Sequence, residues 1–184
     1  LSAYACAVIA ALTAQNTRAV TGIHAVPAAF VREQIDTLFA DVRIDAAKIG
    51  MVGQAPVIRE VADRLAHWKP AHVVLDPVMI AKSGDALLEK AAVGALLEAL
   101  LPCATVLTPN LPEAGVMLGE RAPENLREMR RAAERLRLDE RQSPPLELVA
   151  VVECELLGAG QVNRLADHIV VLPVHEAESG LEPE

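Results

Sequence analysis

Aromatic side chains are almost missing from this sequence: Phe, Trp and Tyr make up 2% of its 184 residues. Surfaces that bind single-stranded nucleic acid use such rings as stacking platforms, so little remains to build one. Basic residues are also in deficit, 17 Lys and Arg against 25 Asp and Glu, which leaves a formal charge of -8. Phosphate backbones are held on a basic face, and the balance of charge argues against one. Cysteine is sparse: Cys6, Cys103 and Cys154 are odd in number, far apart and without CxxC spacing. They read as buried thiols of a reducing compartment, which implies a cytoplasmic protein. The five histidines show no HxH or HxxxH spacing, so neither a zinc site nor a nucleophile–histidine pair can be argued. No GxxxxGK[ST] and no GxGxxG occurs, which excludes a P-loop or a Rossmann fingerprint.

Long apolar runs are lacking too. Residues 1–12 are apolar, but the stretch has no basic leader and is too short to span a bilayer. It reads as core, and no membrane association is expected. The chain starts at Leu1 inside that stretch, which suggests a truncated sequence.

What is present is aliphatic: 52% of the residues are hydrophobic, so the core must be layered from Ala, Val, Leu and Ile. A chain of about 150 residues buries roughly 70% of its unfolded surface, enough for one domain. We expect a single partial domain over residues 1–172 and an acidic, frayed tail over residues 173–184.

Periodicity alone cannot assign residues 5–12 between buried strand and buried helix; the polar residues 13–18 after them read as a loop. Residues 27–40 carry Phe30, Val31, Ile35, Leu38 and Phe39 at helical spacing behind Pro27. A brief apolar run at 47–52 then precedes a helix at 56–68, whose face is Val57, Ile58, Val61, Leu65 and Trp68. Residues 72–79 form the near-continuous β-branched run of a covered parallel strand, with Asp76-Pro77 near its end. Residues 86–101 read as helix, 104–107 as strand, 124–138 as a charged amphipathic helix. After Pro144-Pro145 come strands at 146–152 and 168–172. Strands and helices alternating at these lengths imply right-handed crossovers, hence an α/β fold with a mostly parallel sheet flanked by helices on both faces.

Ligands of such sheets bind outside the carboxyl ends of the strands, which selects four loops. Gln15 offers an amide that donates and accepts at once, as an aminopyrimidine edge requires; it could equally cap loop backbone. Asp76, at the end of a buried strand, needs donors or a cation such as Mg²⁺, and an Asp-Pro turn explains it equally well. Asn110 and Glu113 stand where a strand gives way to a helix, able to face a nucleotide–metal complex. Simple capping by Asn110, with Glu113 completing a capping box, is the reading that local physics favours. Met51 is core filler or a ring contact, and Lys82 a solvated loop charge.

Taken in order, these loops carry a resemblance. Ala11-Leu12-Thr13-Ala14-Gln15-Asn16-Thr17, Val42-Arg43-Ile44-Asp45 through Lys48-Ile49-Gly50-Met51, Val74-Leu75-Asp76-Pro77-Val78-Met79 with Ala81-Lys82-Ser83-Gly84-Asp85, and Leu107-Thr108-Pro109-Asn110-Leu111-Pro112-Glu113-Ala114 resemble the hydroxymethylpyrimidine and phosphomethylpyrimidine kinases of thiamine biosynthesis, within the ribokinase-like superfamily. The likeness covers roughly residues 1–138. It implies a ribokinase-like α/β fold, here incomplete, with ATP and Mg²⁺ as cofactors and a small pyrimidine as substrate. By the same resemblance Gln15, Thr13 and Met51 would bind the pyrimidine, Asn110 and Glu113 the nucleotide, and Asp76 and Glu113 the metal. It assigns no catalytic residue, and a homodimer would be in keeping with it.

Two departures bear on chemistry. The family's GxDPSGGAG segment would precede Leu1, and its KGGH segment is replaced by Val151-Val152-Glu153-Cys154-Glu155-Leu156, with no GTGC turn after it. Losing one oxyanion-type donor costs roughly 10² to 10³ in rate, so impaired catalysis is expected. The alternatives are an inactive or degenerate copy that retains a pyrimidine pocket or a dimer surface, and a related kinase acting on pyridoxal.

Overall fold

The computed structural model describes residues 4–79, 88, 90–137, 148–152 and 169–172. The loop 81–85 with Lys82, the Pro144-Pro145 break, residues 153–156 with Cys154 and the expected tail 173–184 lie outside these residues. The chain begins with a two-stranded antiparallel sheet of β1 (Ala11–Gln15) and β2 (Val20–Ala25). Helix α1 (Ala28–Asp41) leads to β3 (Ala46–Ile49), α2 (Ala55–Trp68) and β4 (His72–Leu75). Then come α3 (Lys90–Ala95), β5 (Val106–Leu107), α4 (Leu111–Leu118) and α5 (Leu126–Arg137). The last described strands are β6 (Leu148–Val152) and β7 (Ile169–Leu172). The main sheet has the order β3-β4-β5-β6-β7; all its pairs are parallel except β6–β7. The α/β class and the parallel sheet flanked by helices are as expected.

Local departures have physical causes. Residues 13–18 do not form a loop throughout: the strand continues to Gln15, and the turn is confined to the next four residues. There Asn16 Oδ1 accepts from the Arg18 and Ala19 N–H groups at 2.8 and 3.0 Å, an Asx turn that reverses the chain. The run at 72–79 stops at Leu75, because Pro77 cannot donate to a ladder. Past Ala95 the expected helix widens to a π turn over Leu96–Leu100 and tightens to a 3₁₀ turn over Leu101–Cys103 around Pro102. Phe30 is 53% exposed rather than on the buried face of α1, which is made by Val31 and Ile35.

The core is aliphatic, as the composition demands. Leu75 and Leu107 from the sheet, Ile58 from α2, Leu96, Leu100 and Leu136 are all at most 1% exposed. A short strand such as β5 needs extra ties, and Thr105 supplies them. Its hydroxyl accepts from Val73 N–H at 2.9 Å, and its own N–H donates to Val73 O at 2.9 Å. Helices α1 and α2 are joined by Trp68, whose Nε1–H donates to Asp36 at 2.8 Å and whose ring lies 5.6 Å from that of Phe39. That indole hydrogen bond, with Arg64 beside it, holds the Asp36 carboxyl below its ordinary value. Among the described residues no helix is long and apolar enough to cross a membrane. The cysteines are not buried as expected: Cys6 is exposed on the segment before β1 and Cys103 only half-buried, and both are free thiols.

Helix α5 is anchored by polar residues at its start. Asn125 Oδ1 accepts from Glu128 N–H at 3.0 Å, and Glu128 in turn accepts from Glu124 N–H and from Arg121 at 2.8 Å. The Arg121 bond, helped by the backbone donor, pulls the Glu128 carboxyl down to about 2 from an ordinary 4.5. A carboxyl lowered by folding stabilises above its unfolded value, and that contribution is lost as pH falls from 4.5 towards about 2. Glu128→Gln is therefore expected to flatten this part of the acid limb in urea melts across that range. An unchanged acid limb would show that the Arg121 pairing adds nothing to folding.

Candidate active site

The carboxyl ends of β3, β4 and β5 are level. Ile49 stands opposite Leu75, and Leu75 opposite Leu107. The residues that follow therefore emerge side by side, where open parallel sheets bind ligands. Asp76 N–H donates to Ile49 O at 2.8 Å and Thr108 N–H to Leu75 O at 2.9 Å, so the ladder runs one residue beyond each strand. Met51 follows β3, Asp76 follows β4, and Asn110 and Glu113 follow β5.

Glu113 is 3% exposed, the one charged residue buried among the described residues. Its Oε1 accepts from Met79 N–H at 3.2 Å and its Oε2 from Asn110 N–H at 2.9 Å. Asn110 Oδ1 accepts from Glu113 N–H at 2.9 Å, which closes a capping box at the start of α4. The favoured local reading of this pair is thus realised, and Glu113 does more than cap. It ties the loop after β4 to the helix after β5. Burial pushes its carboxyl above the ordinary 4.5, opposed by the backbone donors and reinforced by the negative charge of Asp76.

Asp76 is held from the other side by Lys48 of β3, with Nζ 2.7 Å from Oδ2. Its Oδ1 has no protein partner among the described residues, and its side chain is 30% exposed. Mg²⁺ is typically held by one or two carboxylates plus water and phosphate oxygens. Asp76 fits that demand through Oδ1. Each Glu113 oxygen accepts one backbone N–H, which leaves a lone pair on each oxygen. No group of three or more His, Cys, Asp or Glu that could hold a metal occurs among the described residues.

Beside Met51 lies a cavity of about 360 Å³, lined by Ala11, Ile23 and Ala25 of the hairpin and by Met51, Val57 and Leu88 among others. Drug-sized and cofactor pockets begin near this volume, at roughly 300 Å³, and are mostly apolar. Thr13 and Gln15 do not line it. Thr13, two residues from Ala11 and paired with Ile23, is nevertheless on the hairpin face that does. Gln15 follows the register shift between Ala14 and Gln15 and lies exposed near the turn. The structure thus groups Asp76, Asn110 and Glu113 at the strand ends and puts Met51 and the Thr13 face around the cavity.

Sequence reasoning assigns no site role to Lys48, which it quotes only within a motif, or to Ile23. The signal for Lys48 is its place one residue before the end of β3, one strand away from Asp76. The signal for Ile23 is the β-branched run Val20-Thr21-Gly22-Ile23 following a turn.

The sequence model of phosphomethylpyrimidine kinase matches residues 1–143. The hydroxymethylpyrimidine/phosphomethylpyrimidine kinase of Escherichia coli strain K12 is 50% identical over 118 residues, 64% of this chain and 44% of that one. The chain thus spans less than half the length of that relative. Among solved structures, the phosphomethylpyrimidine kinase of Clostridium difficile 630 superposes with a TM-score of 0.69 at 33% identity, covering 78% of this chain and 61% of that one. Pyridoxal kinase of Bacillus subtilis, solved as an ADP complex, gives a TM-score of 0.64 at 25% identity, covering 78% and 50% of the two chains. The family model spans well over half of the sequence, and the chain belongs to the phosphomethylpyrimidine kinase family.

Proposed function

We propose that the chain serves the ATP-dependent phosphorylation of 4-amino-5-hydroxymethyl-2-methylpyrimidine and of its monophosphate, a cytoplasmic step of thiamine biosynthesis. The observation that carries this reading is the alignment of an apolar cavity beside Met51 with the polar cluster of Asp76, Asn110 and Glu113 along one sheet edge. The cavity suits a flat ring, and the cluster suits a charged phosphoryl donor. Phosphoryl transfer depends mainly on positioning and on neutralising charge over the phosphoryl oxygens. When bound, Mg²⁺ supplies part of that neutralisation.

Asp76 would hold the metal through Oδ1, with Glu113 as the second carboxylate beside it. Asn110 Nδ2 makes no hydrogen bond among the described residues and would donate to the nucleotide. Met51 would pack against the ring, with the Thr13 face and the Gln15 amide bounding the pyrimidine from the hairpin. No side chain is assigned as general base or nucleophile. A homodimer remains part of this reading, and sedimentation of the purified chain tests it.

The test is mass spectrometry of the folded chain incubated with the pyrimidine and Mg-ATP, with pyridoxal in a parallel reaction. Mono- and diphosphates of the pyrimidine are expected. Phosphorylation of pyridoxal alone would move the assignment to that substrate, and no product from either would refute activity of this chain. Calorimetry with Gln15→Ala is expected to show pyrimidine binding weaker by about 1–3 kcal/mol, the cost of leaving polar groups unpaired. Unchanged affinity would take Gln15 out of the site.

A further inference from the structure

The ion pair at the edge of β3 and β4 is not needed to hold those strands together. Four residue pairs already join them, from Ala46 opposite His72 to Ile49 opposite Leu75, and Asp76 N–H extends the ladder to Ile49 O. Lys48 reaches Asp76 on a long stem and is 63% exposed, so little desolvation holds it there. The pair sits beside a second carboxylate, Glu113, whose oxygens accept only from backbone N–H groups. Two carboxylates thus share this edge, and Lys48 is the one basic side chain among the described residues in ion-pair contact with either.

From this geometry we infer that Lys48 is a tethered counter-ion: it neutralises Asp76 in the empty protein and is displaced when a divalent cation takes the same carboxylate. The inference rests on reading Asp76 as the metal-binding group. Lys48 is a positioning residue, acting on metal and nucleotide only through Asp76. With Oδ2 engaged and Oδ1 without a partner among the described residues, a divalent ion approaching Asp76 meets the ammonium charge at close range. Either the two cations repel or the lysine swings away, and both outcomes weaken metal binding relative to a bare aspartate. Such an arrangement disfavours metal alone and favours metal that arrives with a nucleotide, whose phosphates give the displaced ammonium a new anion.

The experiment uses the full chain and Mg²⁺ alone, titrated at constant ionic strength to remove general screening. Binding is read as the rise in unfolding midpoint for the wild type, Lys48→Met, Lys48→Gln, Lys48→Arg and Asp76→Asn. Lys48→Met and Lys48→Gln are expected to bind Mg²⁺ about 5- to 10-fold more tightly than the wild type. Lys48→Arg should restore the weaker binding, and Asp76→Asn should abolish the response. The glutamine variant keeps the test decisive should methionine disturb folding. Equal response in all variants, no response in any, or weaker binding without Lys48 would overturn the inference. Because neither ATP nor pyrimidine is present, a kinase reading that fails for want of product leaves this result standing, and the reverse also holds.

Discussion

Glu113→Ala is expected to lower the free energy of unfolding by about 3 kcal/mol in urea melts near neutral pH. The substitution strands the N–H groups of Asn110 and Met79, which now donate to the carboxylate at 2.9 and 3.2 Å. A donor left unpaired costs about 1–3 kcal/mol where it is buried, as at Met79, and less at the half-buried Asn110, and removing a carboxylate that is itself costly to bury returns part of the sum. The deficit should also depend on pH. Burial raises the Glu113 carboxyl above its ordinary 4.5, so its stabilising contribution is complete below that value and falls as pH rises through the raised one. The alanine variant should accordingly lag the wild type most at about pH 4 and less at neutrality. A deficit below about 1 kcal/mol would mean that water replaces the carboxylate and that the two loops are not joined through it.

Gly115→Ala should reverse the sign that helix propensity gives. In an exposed helix interior alanine gains about 1 kcal/mol over glycine. At Gly115, inside α4, a Cβ would lie 2.8 Å from Ala122 N, 2.9 Å from Arg121 C and 2.9 Å from Glu120 O. All three are backbone atoms and cannot be relieved by a rotamer change. Overpacking of this kind costs roughly 1–3 kcal/mol or more, so the net loss is expected to be about 2 kcal/mol. The segment is fixed in place because Gly119, at φ 69°, turns the chain back and Glu120 N–H donates to Gly115 O at 2.9 Å. Gly115→Val adds β-branching and two methyl groups to the same clash and should fall further. A thermal midpoint at or above that of the wild type for the alanine variant would show that the turn after α4 gives way freely.

The main sheet was legible in the sequence because its physics is local and repetitive. Val73, Val74 and Leu75 mark a covered strand, and the spacing of Val57, Ile58, Val61 and Leu65 marks the helix facing it. The hairpin was not legible in full. Thr13 and Gln15 are polar, and a half-exposed strand of polar residues resembles a loop until its partner at Val20-Thr21-Gly22-Ile23 is weighed with it. The same locality explains the site. Asn110 and Glu113 are three residues apart, so their capping box can be read directly. The bond from Met79 N–H to Glu113 and the ion pair from Lys48 to Asp76 join residues 34 and 28 positions apart. Such contacts depend on which strands are neighbours and on their register, neither of which residue patterns specify.

The hairpin stands as its own sheet and meets the rest of the fold at its base. There the Gln34 side chain exchanges hydrogen bonds with the Ile9 backbone at 3.0 and 3.1 Å, and Val26 N–H donates to Ala10 O at 3.0 Å. Leu12 and Ile23 are about half exposed, 56% and 48%, so little apolar burial secures the strands beyond that base. Two strands alone are marginal in water, and their amides should exchange with solvent through local openings, long before those of β4 and β5. The two halves of the proposed site therefore differ in durability. The ring-facing wall belongs to the part that opens first, and the phosphate-facing cluster to the part that opens last. On warming, selectivity for the ring would fade while the anionic edge stays formed.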